Sequence, residues 1–364
     1  MSLQAAVTKL TNGTNGDFCI RCHNQVGMNQ SEPIFIPNAD RSPISREGVT
    51  CVVCHRRKLP FGKVNGRFGL VKGDLFEPIY GPNGGEELKR VIESDEYDTN
   101  IERGKPGRAI HAEAKKFFQI NTAGFCGNCH DVTHINGFRF EEAFSEYKSS
   151  PASKKGITCQ DCHMGKTPGI PSGYFEEPVA IIGGKPTKSR KRTVHMFVGP
   201  DSSIVHPGIF PHNPEAQKIA SLRQWLAFEY GVGWGTDEFE DNVSNEQFPK
   251  HWSDASKRYD ARDIIEENLA LLDKSLEQRK ILLRNGYSLG NIVVDKVSPK
   301  KIKFRVEVKN ITEGHNVPTG FDAERIVFLQ ITVKDKNGKI IFKSGDLDPN
   351  GDVRDLHSIY VHNG

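Results

Sequence analysis

The stretch Gly156-Ile-Thr-Cys159-Gln-Asp-Cys162-His163-Met164 contains the pattern on which the organisation of this chain depends. Its central pentapeptide, Cys-x-x-Cys-His, occurs four times in the first half of the chain and uses all 8 cysteines. In this pattern two thiols add to the vinyl groups of a haem and the adjacent histidine binds the iron from the proximal side. The sequence therefore predicts four covalently attached c-type haems. The attachment cysteines are Cys19, Cys22, Cys51, Cys54, Cys126, Cys129, Cys159 and Cys162, and the proximal ligands are His23, His55, His130 and His163.

A zinc ribbon is the main alternative explanation of paired cysteines, because two Cys-x-x-Cys pairs can close one tetrahedral site. A ribbon has no need for a histidine directly after the second cysteine, yet all four motifs have one. The gaps between the pairs also exceed the spacing of about 15–20 residues that is usual for such ribbons. Disulfides are a weaker alternative, since a two-residue spacer favours a strained, redox-active bridge. We therefore favour haem attachment.

Thioether attachment of haem takes place outside the cytoplasm, so we expect this chain to be exported to the periplasm or the extracellular space. The first residues lack a charged segment followed by an apolar one, so we expect the signal peptide to lie outside this sequence. The sequence also has no apolar run of about 18 residues, the length that a membrane span needs. No membrane span is predicted.

The charge of the chain does not favour a nucleic-acid partner. The formal net charge is +3, and four ferric bis-His haems of about −1 each bring the total to about −1. A short basic run at 185–192 resembles a nucleic-acid or nuclear-targeting patch, but export argues against both roles. We interpret this run as a solvated loop.

The haem-bearing half contains an internal repeat. Residues 42–51 align with residues 150–159 at an offset of 108, and both segments begin with Ser-Pro and end with Thr-Cys. The proximal histidines are 32 residues apart in the first unit and 33 residues apart in the second. This matched spacing favours two dihaem modules in tandem over a chance similarity of two loops.

Three regions of different character follow one another along the chain. We expect residues 1–212 to form a tetrahaem domain that is mainly α-helical with extensive loops, including a short helix over 110–118. Residues 213–286 are expected to be helical, because apolar residues recur at steps of three and four through 254–284 and Gly286 suits a C-terminal cap. We favour packing of this segment on the haem domain over a partner-binding role.

The third region, residues 287–364, is predicted to be an antiparallel β-sandwich-like domain. Apolar residues alternate with charged ones in 302–308, and Asn337-Gly338 is typical of a hairpin turn. A sandwich usually needs about seven strands, and fewer fit into these residues. We therefore expect the domain to be incomplete in this chain.

Four haems need four more axial ligands if every iron is six-coordinate. Methionine is a poor source, because only Met28, Met164 and Met196 are internal and two of them sit beside histidines. Bis-His ligation is the more economical interpretation, since 13 histidines minus four proximal ones leave nine. The preferred distal ligands are His111 and His195, followed by His134 and His206. His212 and His315 rank below them, and His251, His357 and His362 are interpreted as surface residues.

The attachment motifs and their flanks resemble those of multihaem c-type cytochromes. The segments 125–131 and 156–164 are similar to the large multihaem cytochromes of anaerobic respiration and metal reduction, and to the tetrahaem cytochromes that accept electrons from hydroxylamine oxidoreductase. Gly314-His-Asn-Val-Pro-Thr-Gly320 is similar to a segment of β-domains appended to such cytochromes. The resemblance spans nearly the whole chain and implies closely packed haems with His/His ligation that conduct electrons.

Two classes of function compete. The favoured one is electron transfer in an anaerobic or extracellular respiratory chain, with other cytochromes, quinol-linked or terminal reductases and extracellular acceptors as partners. The alternative is a multihaem oxidoreductase acting on nitrogen or sulfur oxyanions, which needs one haem with an open iron position. Ammonia-forming nitrite reductases mark that haem with Cys-x-x-Cys-Lys, which is absent here. The surplus of histidines also argues for transfer.

Overall fold

The computed structural model describes residues 9–10, 12–13, 16–57, 64–243, 247–321, 325–349 and 351–353. Helices take up 33% of these residues and strands 18%. The prediction of a mainly α-helical haem domain is therefore wrong. The helix content is low because 35 glycines and 20 prolines interrupt the chain, so most helices end after one or two turns.

The α-helices of the described residues are short, with one exception of 30 residues at the end of the series. They are α1 Ile20–His23, α2 Gln25–Asn29, α3 Pro43–Arg46, α4 Cys51–His55, α5 Glu86–Ile92, α6 Ala123–Gly127, α7 Ala143–Ser149, α8 Pro151–Lys154, α9 Cys159–His163, α10 Pro214–Ile219, α11 Leu222–Trp225, α12 Asp237–Glu240 and α13 Ala255–Arg284. Short 3-10 turns occur at Asn38–Asp40, Asp95–Tyr97, Phe118–Asn121, Tyr230–Val232 and Lys250–Trp252.

The strands pair two by two and form no larger sheet in the described residues. They are β1 Ile79–Gly81, β2 Thr99–Asn100, β3 Arg108–Ala109, β4 Ala114–Lys116, β5 Val132–Thr133, β6 Arg139–Glu141, β7 Phe175–Pro178, β8 Ile181–Ile182, β9 Lys185–Pro186, β10 Ser189–Arg192, β11 Tyr287–Ser298, β12 Lys301–Asn310, β13 Ile331–Lys334 and β14 Ile340–Ser344. The pairs are β1–β4 and β2–β3, both parallel, and the antiparallel β5–β6, β7–β10, β8–β9, β11–β12 and β13–β14.

The C-terminal β-sandwich-like domain is also a wrong prediction. The described part of 287–364 contains two antiparallel hairpins, β11–β12 and β13–β14, and each is a separate two-stranded sheet. The chain divides into two compact units, Met1–Val317 and Pro318–Gly364, so β11–β12 belongs to the first unit and β13–β14 to the second. Alternation of apolar and charged residues specifies a strand, but it does not specify which strand becomes its neighbour. The hairpin predicted at Asn337-Gly338 is present.

The two copies of the internal repeat fold in the same way. In each copy a serine caps a short helix that starts with proline, and its hydroxyl accepts a hydrogen bond from the backbone N–H three residues on. A glycine with positive φ follows, at Gly48 (φ +77°) and Gly156 (φ +71°). A threonine, Thr50 or Thr158, then occupies the N-cap position of the helix that carries the attachment motif.

The helical segment predicted for 213–286 is present and has its own core. Asn213 caps α10 through its side chain, which accepts from the N–H of Glu215, and Asp254 caps α13. Aromatic side chains pack against the buried face of α13. The far end of α13 reaches the loop that follows the fourth motif, where Asn285 Nδ2 donates to the carbonyl oxygen of Pro168 at 2.9 Å. No helix of the described residues is long and apolar enough to cross a membrane.

A buried ion pair fixes the first turns of α13. The side chains of Arg258 and Glu240 are 4% and 6% exposed, and the Arg258 guanidinium binds both carboxylate oxygens. Glu240 also accepts from the backbone N–H of Gly235 at 2.9 Å, and Arg258 donates to the carbonyl of Trp252 at 2.7 Å. Removal of either residue would destabilise the fold, because the remaining charge would stay buried without a counter-charge.

We expect Glu240→Gln to lower the free energy of unfolding by about 3 kcal/mol, because it leaves a buried guanidinium without its counter-charge. Denaturant unfolding checks this, and Glu215→Gln in the exposed pair with Lys218 is the control that should show no measurable change. Arg258 lowers the pKa of Glu240 below its ordinary value of 4.5. The ion pair therefore contributes its full stabilisation above pH 4.5. This contribution is lost as the pH falls through the lowered pKa of Glu240 in the folded protein. Equal stability of the two glutamine variants would contradict the prediction.

Candidate haem-binding site

Each attachment motif lies on a helical turn, which explains the spacing of its residues. In the helices α1, α4 and α9, residues three and four apart share one face, so the two thiols and the histidine of a motif point the same way. The third motif continues the end of α6, where the N–H groups of Cys129 and His130 both donate to the carbonyl of Cys126 at 3.0 Å. All four motifs can therefore present two thiols and one imidazole to a single planar group.

The segment at 64–70 holds the first and third motifs together. Gln25, which follows the first motif, donates from Nε2 to the carbonyl of Phe68 at 2.9 Å. The N–H of Gly66 donates to the carbonyl of Asn128, inside the third motif, at 2.6 Å. Gly66 has a φ of +63°, and a β-carbon at this position would lie 2.7 Å from the sulfur of Cys22. A glycine is therefore required where this segment passes under the first motif.

The thiols of different motifs lie side by side. Cys22 of the first motif is within hydrogen-bonding reach of Cys129 of the third, and Cys126 of the third motif is within reach of Cys159 of the fourth. Burial raises the pKa of Cys162 to about 11 and keeps that thiol protonated at neutral pH. Groups attached at the first, third and fourth motifs are consequently neighbours, with the third motif in the middle.

An apolar cluster connects the second motif to the third. Val53, inside the motif, packs with Val26 and Phe68, and Cys129 of the third motif lies against this cluster. The fourth motif is tied to the segment before the third, because Gln160 Nε2 donates to two backbone carbonyls there, at 2.8 and 2.9 Å. The four attachment sites thus share one compact region of the first unit.

His55 of the second motif lies near His195. Their ring centroids are 6.4 Å apart and their ring planes are inclined by 33°. A metal–nitrogen bond of about 2.0 Å and a ring radius of about 1.2 Å would place the centroids of two axial imidazoles about 6.4 Å apart. His195, which the sequence predicts as a distal ligand, therefore lies at a suitable separation from His55.

A second pair has the same separation. His163 of the fourth motif and His315 have ring centroids 6.2 Å apart and ring planes inclined by 15°. Burial lowers the pKa of His163 to about 4, so its ring is neutral at pH 7 and its nitrogen is free to bind a metal. His315 belongs to the Gly-His-x-x-Pro-Thr-Gly segment and ranked below His206 among the candidates from the sequence.

Three polar contacts hold the loop of His315 against the second module, close to the fourth motif. Lys155 forms an ion pair with Glu313, with Nζ–Oε distances of 2.7 and 2.6 Å. The carbonyl of Glu313 accepts from the N–H of Ala152 at 2.9 Å. Glu146 accepts from both the backbone and the side chain of Asn316 at 3.0 and 2.9 Å. The loop is therefore anchored on both sides of His315.

The orientation of the rings separates two groups of histidines. A metal-binding histidine usually donates its Nδ1–H to a backbone carbonyl, which leaves Nε2 for the metal. Four histidines have Nδ1 beside a backbone carbonyl and no hydrogen bond at Nε2 within the described residues. They are His55 with Tyr80 (2.8 Å), His111 with Leu75 (2.7 Å), His195 with Thr193 (3.1 Å) and His315 with Asn316 (2.7 Å). In His134 the Nδ1 partner is the side-chain oxygen of Asn136 at 3.0 Å.

His111 and His134 both lie near attachment motifs, but His111 is not on the predicted helix. The helix predicted over 110–118 is wrong, since His111 precedes the strand β4 in an extended segment. Its ring is close enough to His55 to lower the pKa of that residue slightly, after the larger effect of burial. His134 lies in the β5–β6 hairpin, where its ring meets Phe18, next to the first motif, at 5.1 Å.

His206 lies apart from the attachment motifs. Its Nε2 is 2.9 Å from the carbonyl of Phe228, and its Nδ1 accepts from the N–H of Gly208 at 3.0 Å. The ring packs against Trp225 and Tyr230 in the helical segment. Both nitrogens are therefore engaged, and His206 is not available to a metal in this conformation.

His212 and His251 also use Nε2 elsewhere, on Glu47 at 3.3 Å and on the carbonyl of Ile219 at 3.0 Å. His357 and His362 lie outside the described residues. His251 was expected to be a surface residue, but it is half-buried, with its ring centroid 4.5 Å from that of Trp252. Among the described histidines, Nε2 remains open in the four of the motifs and in His111, His134, His195 and His315.

Surrounding protein affects two of the motif histidines. The side chain of His130 is 65% exposed, yet desolvation by nearby protein lowers its pKa. The same cause lowers the pKa of His23.

The arrangement fits a haem better than a bare metal ion. Within the described residues, which include all eight cysteines, no three His, Cys, Asp or Glu side chains converge as a bare metal ion requires. A haem supplies four nitrogens itself and asks only for two axial ligands and two thiols. The His55–His195 and His163–His315 pairs, with their adjacent thiols, meet that smaller requirement.

No protein-family model matches this chain, and no curated protein or solved structure matches it either.

Proposed function

We propose that this chain is a tetrahaem c-type cytochrome that transfers electrons. The observation that carries the proposal is the pairing of two motif histidines with histidines from distant segments at centroid separations of 6.4 and 6.2 Å. Each of these rings leaves Nε2 free, as an axial ligand must. The haems would be attached through the eight cysteines of the motifs.

The proposed axial ligands are the four motif histidines and four histidines from other segments. His195 serves the haem of the second motif, and His315 serves that of the fourth. His111 and His134 supply the ligands for the remaining two haems. His206 is left out of the set, because both of its nitrogens are hydrogen-bonded.

Electron transfer is favoured because the attachment sites touch one another. Contacts between the thiols of the first, third and fourth motifs make the bound groups neighbours. A haem supplies the one-electron chemistry, and the protein fixes distance, orientation and electrostatic environment. An oxidoreductase needs one open iron position, whereas the described residues offer eight open imidazoles for four haems.

The setting proposed for this activity is a respiratory chain outside the cytoplasm, either periplasmic or extracellular. Other cytochromes, quinol-linked or terminal reductases and extracellular acceptors are the proposed partners. The four attachment motifs support export, because thioether attachment of haem takes place outside the cytoplasm.

The proposal is tested with holo protein made in a strain that has the haem-maturation machinery. Intact mass of the denatured protein should show four haem adducts. Low-temperature electron paramagnetic resonance (EPR) of the oxidised protein should show low-spin haem alone, and the reduced protein should not bind carbon monoxide. Fewer than four adducts would contradict the stoichiometry. A persistent high-spin signal from one haem per chain would instead support the oxidoreductase.

A further inference from the structure

Arg57 lies at the centre of the attachment region although it belongs to no motif pattern. It follows the second motif by two residues and is only 3% exposed. Its guanidinium carbon lies 3.6 Å from the ring centroid of Phe68 and 4.1 Å from that of Phe125. The guanidinium also donates to the carbonyl of Phe125 at 3.4 Å. Two aromatic rings thus hold a cation between them.

The charge of Arg57 is not compensated by any carboxylate among the described residues. Its Nε is buried and has no hydrogen-bond partner there. Two other buried arginines have a carboxylate partner, since Arg41 pairs with Glu32 and Arg258 pairs with Glu240. A cation without a counter-charge in an apolar setting acts over a longer distance than a paired one.

The sulfurs that interact electrostatically with this guanidinium come from three motifs, and two of them belong to the third. They are Cys22, Cys54, Cys126 and Cys129. The Arg57 guanidinium lies over the ring of Phe125, and Phe125 directly precedes Cys126. In the thioether form these sulfurs carry no charge, so the cation would act on the attached haem instead.

We propose that Arg57 sets the reduction potential of the haem at the third motif and makes it the position where electrons reside. The inference rests on the proposed function. Reduction adds one electron to the haem, and a fixed positive charge nearby stabilises the reduced form, most strongly where the dielectric constant is low. Because the third motif touches the first and the fourth, the haem of highest potential lies in the middle of the group.

The experiment compares Arg57→Met with Arg57→Lys, two variants of similar side-chain length that differ in charge. Potentiometric titration of the visible haem bands, with EPR at each step, measures the four midpoints. We expect Arg57→Met to reduce the equilibrium constant for reduction of one haem about tenfold, which is about 59 mV for one electron. Arg57→Lys should change it less than about threefold, about 30 mV on the same scale.

Arg258→Met is the control for loss of stability, because its charge is paired and belongs to the helical segment. It should leave all four midpoints unchanged. Wild-type midpoints in Arg57→Met, with four haems present by mass, would overturn the inference while leaving the proposed function intact. Fewer than four haems in the wild-type protein would instead overturn the proposed function.

A second measurement keeps the inference testable if Arg57→Met does not mature. The protein that lacks the third haem, through alanine at Cys126 and Cys129, should lose the transition of highest potential. The protein that lacks the fourth haem, through alanine at Cys159 and Cys162, should keep it. Retention of that transition in the first of these two variants would overturn the inference.

Discussion

Replacement of His315 by alanine is expected to convert one of the four haems from a low-spin to a high-spin state. The ring of His315 lies 6.2 Å from that of His163, centroid to centroid, and its loop is anchored on the second module. An alanine leaves the iron without its second imidazole, and water is a much weaker ligand. EPR of the oxidised protein should show about one high-spin centre in four, and carbon monoxide should bind to that haem after reduction.

His206→Ala is the matched control for this experiment. The sequence ranked His206 above His315, whereas the structure engages both nitrogens of His206 with backbone groups. We expect its alanine variant to remain wholly low-spin, although it loses packing against Trp225. A high-spin signal from His206→Ala, together with a wild-type spectrum for His315→Ala, would reverse the ligand assignment.

Removal of both cysteines of the third motif is expected to have the largest effect on stability. Cys126→Ala/Cys129→Ala should lose one haem by intact mass. The free energy of unfolding should fall by more than about 5 kcal/mol, because a buried macrocycle is larger than any side chain whose removal costs that amount. The loss should also disturb the neighbouring sites, since Cys129 contacts Cys22 and Cys126 contacts Cys159.

The matched comparison is the double alanine variant of the second motif. Cys51 is exposed, and no thiol of this motif is in hydrogen-bonding reach of another motif. Cys51→Ala/Cys54→Ala should therefore also lose one haem, but with a smaller fall in thermal unfolding temperature and unchanged EPR signals from the other three. Equal losses of stability in the two double variants would show that the third motif is not the centre of the haem group.

The haem chemistry proposed for the site could be read from the sequence because the motif is local. Two thiols and an imidazole within five residues form one helical turn, and this turn needs no distant segment to be recognised. The capped helices of the internal repeat are local in the same way, so Ser42 and Ser150 produce the same structure from the same residues. The helix at Ala255–Arg284 was predictable because its apolar period extends over many turns.

The two modules of the repeat suggested haem pairs within each module, but the thiol contacts follow a different order. The first motif meets the third across the modules, whereas the third meets the fourth within one. The segment at 64–70 brings about the contact between modules, through Gly66 and Phe68. Its sequence contains no signal for this role, because a backbone hydrogen bond can be made by any residue.

The sequence by itself predicted the cofactor chemistry, the number of attachment sites and the proximal ligands, because each prediction depends on residues a few positions apart. The tertiary structure decided which histidines lie near the motif histidines, and it led us to replace His206 with His315 in the proposed set. It also decided that, α13 excepted, the helices of the described residues are short and that their strands pair two by two. Distal ligation depends on which loop reaches a given ring, and that depends on contacts such as Lys155–Glu313 between segments far apart in the chain. Such contacts cannot be predicted from the spacing of residues along the sequence.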